Sequence, residues 1–112
     1  MKLFCFGFGQ VAQSFVDHLL NFNADLRLTT TSRKNTSELT FKNLKYFNYE
    51  FNENGFDKNL INPLQESDHI LISVPPINGK DMFIERLLKN NLNLQNLKWL
   101  TYLSSTSVYG NH

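Results

Sequence analysis

The most restrictive feature lies at the amino terminus. Lys2–Phe6 is a compact apolar run that ends directly on Gly7-Phe8-Gly9-Gln10-Val11-Ala12. A run of this length stopped by glycine predicts a buried strand. Over Gln10–Phe22, residues Val11, Ala12, Phe15, Val16, Leu19 and Leu20 recur at helical spacing, predicting one broad apolar face. The turn between strand and helix fits G-x-G-x-x-[GA]. In that pattern Gly7 allows the tight reversal, Gly9 lets a pyrophosphate approach the backbone with no Cβ in the way, and Ala12 keeps helix and strand close. The helix start offers unpaired N–H groups and the positive end of a dipole. Glycines are common in turns, so the motif gains meaning from its context. A strand precedes it, a helix follows, and a second strand at Leu26–Thr31 closes a βαβ unit. The rival reading is a plain strand-to-helix turn.

The rest of the chain continues the alternation. Thr36–Lys42 reads as a short helix with Thr36 or Ser37 as its cap. Lys45–Phe51 alternates as a third strand, and Asn52–Gly55 reads as a turn. Leu60–Ser67 suits a short helix with Pro63 in its first turn, and His69–Val74 a fourth strand stopped by Pro75 and Pro76. Lys80–Asn90 spaces Phe83, Ile84, Leu87 and Leu88 as a helix face, and Trp99–Leu103 is a last apolar strand. Strands alternating with helices imply a parallel sheet covered on both faces. With right-handed crossovers the expected fold is a Rossmann-type doubly wound α/β domain of about five strands, covering 1–112 and stopping after the fifth. The ten phenylalanines are expected at strand and helix-core positions.

Composition narrows the function classes. With 112 residues the chain is one domain, too short to hold both a cofactor domain and a substrate domain. A net charge of +1 gives no basic field for nucleic acid or an anionic membrane. No apolar run approaches the ~20 residues of a transmembrane helix, and no signal peptide is legible. A single cysteine excludes an intramolecular disulfide and suits the cytoplasm. Cys5 lies mid-strand and reads as a small buried hydrophobe. His18, His69 and His112 are scattered, so no metal site is expected. Asp17 reads as a solvated helix residue.

Ligands of doubly wound sheets sit beyond the carboxyl ends of the strands. An NAD site usually has a carboxylate after the second strand; here stand Thr29, Thr30, Thr31, Ser32 and Arg33. Arg33 suits a 2′-phosphate and Ser32 can add a hydrogen bond, which predicts NADP over NAD. The alternative for Arg33 is a solvated loop residue. After the fourth strand, the backbone of Ser73-Val74-Pro75-Pro76 would border the cofactor or merely end the strand. After the fifth comes Ser104-Ser105-Thr106-Ser107-Val108-Tyr109-Gly110, a hydroxyl cluster at the sheet edge.

These residues carry a resemblance. From Phe6-Gly7-Phe8-Gly9 through Thr31-Ser32-Arg33 to the final Ser-Ser-Thr-Ser-Val-Tyr-Gly, the chain resembles short-chain dehydrogenases/reductases of the extended and atypical type, related to sugar-nucleotide epimerases and dehydratases. The last stretch is similar to the family's S-S-x-x-V-Y-G. The resemblance places a vestigial catalytic serine at Ser105; Tyr109 belongs to the motif but is not the catalytic tyrosine. Cofactor contacts are expected at Gly7, Phe8, Gly9, Gln10, Val11, Ser32, Arg33, Val74 and Pro75. The chain departs from the family in having two spaced glycines and an alanine instead of three glycines. No tyrosine is followed by lysine four positions on, so the family's acid/base pair is absent from the sequence. The resemblance thus implies the NADP-binding amino-terminal half of an oxidoreductase or epimerase, catalytically incomplete, from a truncated or split gene. Its expected partners are the dinucleotide and either a separately encoded second half or another copy, paired at the uncovered fifth-strand edge. The rival functions are a nucleotide-sensing regulatory module and the cofactor domain of another NADP-dependent reductase.

Overall fold

The computed structural model describes residues 1–22, 25–52, 55–73 and 94–102. Strand β1 (Lys2–Phe6) enters helix α1 (Gln10–Leu20) through the glycine turn, and β2 (Arg27–Ser32) follows. Next come β3 (Ser37–Phe41), β4 (Leu44–Asn52) and the two-residue β5 (Gly55–Phe56). A 3-10 turn at Lys58–Leu60 runs into α2 (Ile61–Gln65), followed by β6 (His69–Ile72) and β7 (Trp99–Tyr102).

Among the described residues these strands form one mixed, mostly parallel α/β sheet in the order β3-β4-β2-β1-β6-β7, with β5 paired to β4. Strands β4, β2, β1, β6 and β7 run parallel; β3 and β5 are antiparallel to β4. The alternation of β1 explains its central place. Phe4 and Phe6 face one side with Leu60, Leu64, Ile70 and Ile72. Leu3 and Cys5 face the other with Ala12, Val16, Leu26, Leu28 and Leu71. A strand apolar on both faces has to be covered on both. Helix α1 covers one face and α2 the other, each fully buried aliphatic or phenyl side chain contributing about 1.5–3 kcal/mol.

The sheet grows outward from β1 in two directions, to β2 and β4 on one side and to β6 and β7 on the other. The strand order thus switches direction beside β1. This is the geometry in which open α/β sheets form a crevice.

Several sequence-based expectations need correction. The segment Thr36–Lys42 is not a helix but contains β3, hairpinned to β4 with Phe41 opposite Leu44. Its turn residues Lys42 and Asn43 both have positive φ, 49° and 70°. That pair forms a tight turn whose twist suits a two-residue hairpin. Ser37, Glu38, Leu39 and Thr40 are exposed, so the segment lacks the buried stripe a helix would need. Strictly alternating β and α elements are therefore not what the described residues form. Asn52 and Gly55 are register partners at the ends of β4 and β5, which agrees with the turn expected over Asn52–Gly55. Helix α1 ends at Leu20, and Val11 is exposed rather than part of its buried face. Phe22, Phe47 and Phe56 are exposed and depart from the expected core placement. Asp17 is not only solvated; its carboxylate pairs with Lys42 Nζ at 3.1 Å, joining α1 to the hairpin turn. The helix expected over Lys80–Asn90 lies outside the described residues. β7 ends the sheet order, with Trp99 and Leu100 exposed. Among the described residues, no helix is long and apolar enough to cross a membrane.

Candidate functional site

The carboxyl edge of the parallel strands gathers most of the residues singled out in the sequence. Gly7 follows β1 with φ at +89°, a conformation that L side chains rarely adopt. Its N–H donates to both the carbonyl and the hydroxyl oxygen of Thr31, each at 3.2 Å. On the other flank, Ser73 N–H donates to the Phe6 carbonyl at 2.9 Å, and Ser73 Oγ donates to the Gly7 carbonyl at 3.1 Å. The end of β1 is thus held between the ends of β2 and β6.

Phe8 turns its ring away from the edge. It packs edge-on against Phe41 and Tyr46, at centroid distances of 5.3 and 5.4 Å. Its carbonyl accepts from Gln13 Nε2 at 3.0 Å. What Phe8 offers a ligand is therefore main chain, not its ring. Gly9 is the N-cap of α1, in ordinary extended conformation, and no side chain caps the first turn. A Cβ added at Gly9 would meet nothing within 4 Å. The helix thus starts at a position without a side chain, and no side-chain cap takes up its first N–H groups. Gln10 and Val11, both exposed, begin the helix here.

The end of β2 is built from a polar ladder. Thr30 Oγ1 donates to Asn48 Oδ1 at 2.9 Å, and Asn48 Nδ2 donates to Ser32 Oγ at 2.9 Å. Lys34 N–H also donates to Ser32 Oγ, at 3.1 Å. Thr30 and Asn48 are buried and directly opposed in register. Arg33 and Lys34 are exposed. Thr36 Oγ1 donates to Asp57 Oδ2 at 2.7 Å and accepts from Glu50 N–H at 3.0 Å, fixing the loop after β2 onto β4. The Thr36 hydroxyl and the Asn59 N–H hold the Asp57 carboxyl below its usual range. Glu50 is the register partner of Ser32, and its carboxylate accepts from Asn52 Nδ2 at 3.0 Å.

Gly7, Phe8, Gly9, Gln10, Val11, Ser32 and Arg33 are therefore brought to one edge. Val74, Pro75 and Ser105 lie outside the described residues. Sequence reasoning placed Ser73 in the loop after the fourth strand but missed Asn48 and Glu50, which depend on strand register.

Other reactive groups lie elsewhere. Burial pushes the Cys5 thiol up to about 12, which leaves no thiolate at neutral pH. His69 opens β6 at the opposite edge; its Nε2 lies 2.9 Å from Thr101 Oγ1, and burial lowers its pKa. Among the described residues, no group of three or more His, Cys, Asp or Glu is placed to hold a metal. Comparison with protein families, with curated proteins and with solved structures returned no match.

Proposed function

We propose that this domain is a Rossmann-type, doubly wound module that binds NADP across the carboxyl edge of its sheet. The observation that carries this reading is Gly9: an N-cap with open space where a Cβ would stand, before a helix start that no side chain caps. A pyrophosphate there would accept from the first-turn N–H groups and meet the positive end of the helix dipole. Ser32 and Arg33 stand at the neighbouring strand end, where the adenosine ribose of a dinucleotide would lie. Arg33 would pair with a 2′-phosphate. Thr31 and Ser73 hold Gly7 in place and so orient the loop without touching the ligand.

Bound NADP supplies hydride chemistry; the residues described here bind and orient it. With the resemblance to short-chain dehydrogenases/reductases, the module is best read as the cofactor-carrying portion of an oxidoreductase or epimerase. A second reading, preference for NAD, has Glu50 in its favour, since a carboxylate opposite Ser32 suits a ribose hydroxyl. Protein-detected NMR during NADP titration tests the location. Shifts concentrated at Gly7–Val11, Ser32, Arg33 and Ser73 are expected. Shifts confined to the amino edge around His69, or none, would overturn the proposal.

A further inference from the structure

The ladder Thr30–Asn48–Ser32 has a direction, and that direction bears on which ligand the site takes. Thr30 is buried, so its hydroxyl hydrogen needs an acceptor. Asn48 Oδ1 is that acceptor at 2.9 Å. This orients the amide and leaves Nδ2 facing Ser32 Oγ, also at 2.9 Å. The opposite amide orientation would set Nδ2 against Thr30 and leave that buried hydrogen without the acceptor. Ser32 Oγ accepts a second hydrogen bond from Lys34 N–H at 3.1 Å. A serine hydroxyl has two lone pairs and one hydrogen. Both lone pairs are taken, so the hydrogen alone remains to offer.

We propose that Asn48 is a specificity-determining positioning residue: it makes Ser32 an obligate hydrogen-bond donor and thereby favours a 2′-phosphate over a free 2′-hydroxyl. This rests on the dinucleotide-binding reading above. A phosphate oxygen only accepts at neutral pH, and the hydrogen bond it receives is charge-assisted. A ribose hydroxyl gains a weaker bond and must place its own hydrogen elsewhere, because Ser32 has no lone pair left to receive it. Asn48 never touches the ligand; it acts by fixing which way a neighbouring hydroxyl points.

The test compares 2′,5′-ADP with 5′-AMP, two probes that differ by the 2′-phosphate. Wild-type protein is expected to bind 2′,5′-ADP more tightly, by about tenfold or more, the size of one hydrogen bond to a charged group. Asn48→Asp keeps the shape of the side chain but only accepts, so Thr30 and Ser32 both donate to it and the Ser32 hydrogen turns inward. The preference should fall about tenfold, to what Arg33 alone supplies. Thr30→Val adds no charge and releases the amide orientation. It should narrow the preference several-fold, and add no further loss in a Ser32→Ala background. Melting curves and circular dichroism establish that each variant is folded. Folded variants that keep the wild-type preference would overturn the role of Asn48, as would Thr30→Val acting fully without Ser32. If wild-type protein binds neither probe, the underlying dinucleotide reading fails instead.

Discussion

Replacing Gly9 by serine separates the needs of the fold from the needs of the ligand. Gly9 has φ −80° and ψ −169°, backbone that any residue adopts. The added Cβ would meet nothing within 4 Å. A serine there is a good N-cap, because its hydroxyl accepts an N–H of the uncapped first turn; the gain over glycine is about a few tenths of a kcal/mol. For a domain of this size that raises Tm by about 1–2 °C. The same atoms fill the space a pyrophosphate would use and occupy its donors. Losing one charge-assisted hydrogen bond costs about 1.5–3 kcal/mol, or roughly 10- to 150-fold in Kd. Gly9→Ser should therefore melt slightly higher than wild type and lose most of the thermal shift that NADPH gives wild type. Gly7→Ala is the contrasting case. Its φ of +89° makes any side chain strained, at about 1–2 kcal/mol, so that variant should weaken the fold itself. A Gly9→Ser protein that binds NADPH as wild type does, or melts several degrees lower, would show that Gly9 does not serve the ligand.

Three further outcomes follow from the same geometry. Arg33→Ala should lower NADP affinity about tenfold or more and leave NAD affinity unchanged; equal affinities in wild type, unmoved by the substitution, would remove Arg33 from the site. Cys5, with its thiol pushed up to about 12, should resist a disulfide reagent at pH 8 in the folded protein and react fully in urea; rapid labelling of native protein would contradict its burial. His69 has a folded pKa below its ordinary 6.5, so the unfolded chain takes up the proton first. Its contribution to stability is therefore complete above that range and falls as pH drops below it. Urea titrations should show this loss on acidification, and His69→Gln should flatten it; an unchanged pH profile in the variant would rule the residue out.

Much of the sheet was legible from apolar runs and their stops. Lys2–Phe6 reads as a strand from its composition alone, and the structure has it with those bounds. The glycine turn, α1 and the strands at β2, β4, β6 and β7 follow from apolar runs and periodicity to within one residue, apart from two ends set two residues earlier, α1 at Leu20 and β6 at Ile72. The hairpin strand β3 was not legible, because its turn relies on Lys42 and Asn43 both adopting positive φ, without the Asn-Gly or Asp-Gly signal that usually marks such a turn. Of the candidate site, the parts that come from one continuous segment could be read: Gly7 and Gly9 in the turn, Ser32 and Arg33 at the end of β2. The parts that come from register could not. Thr30 meets Asn48, and Ser32 meets Glu50, only because β2 and β4 pair with Thr29 opposite Phe47. A one-residue slip would turn Asn48 to the other face.

The carboxyl edge of the sheet is proposed to bind a dinucleotide and to distinguish it by its 2′-phosphate. Isothermal titration of the wild-type chain with NADP, and separately with NAD, tests it most directly. Saturable binding of NADP, tighter than that of NAD by about tenfold or more, is the predicted result. No saturable heat with either dinucleotide, or equal affinity for the two, would contradict it.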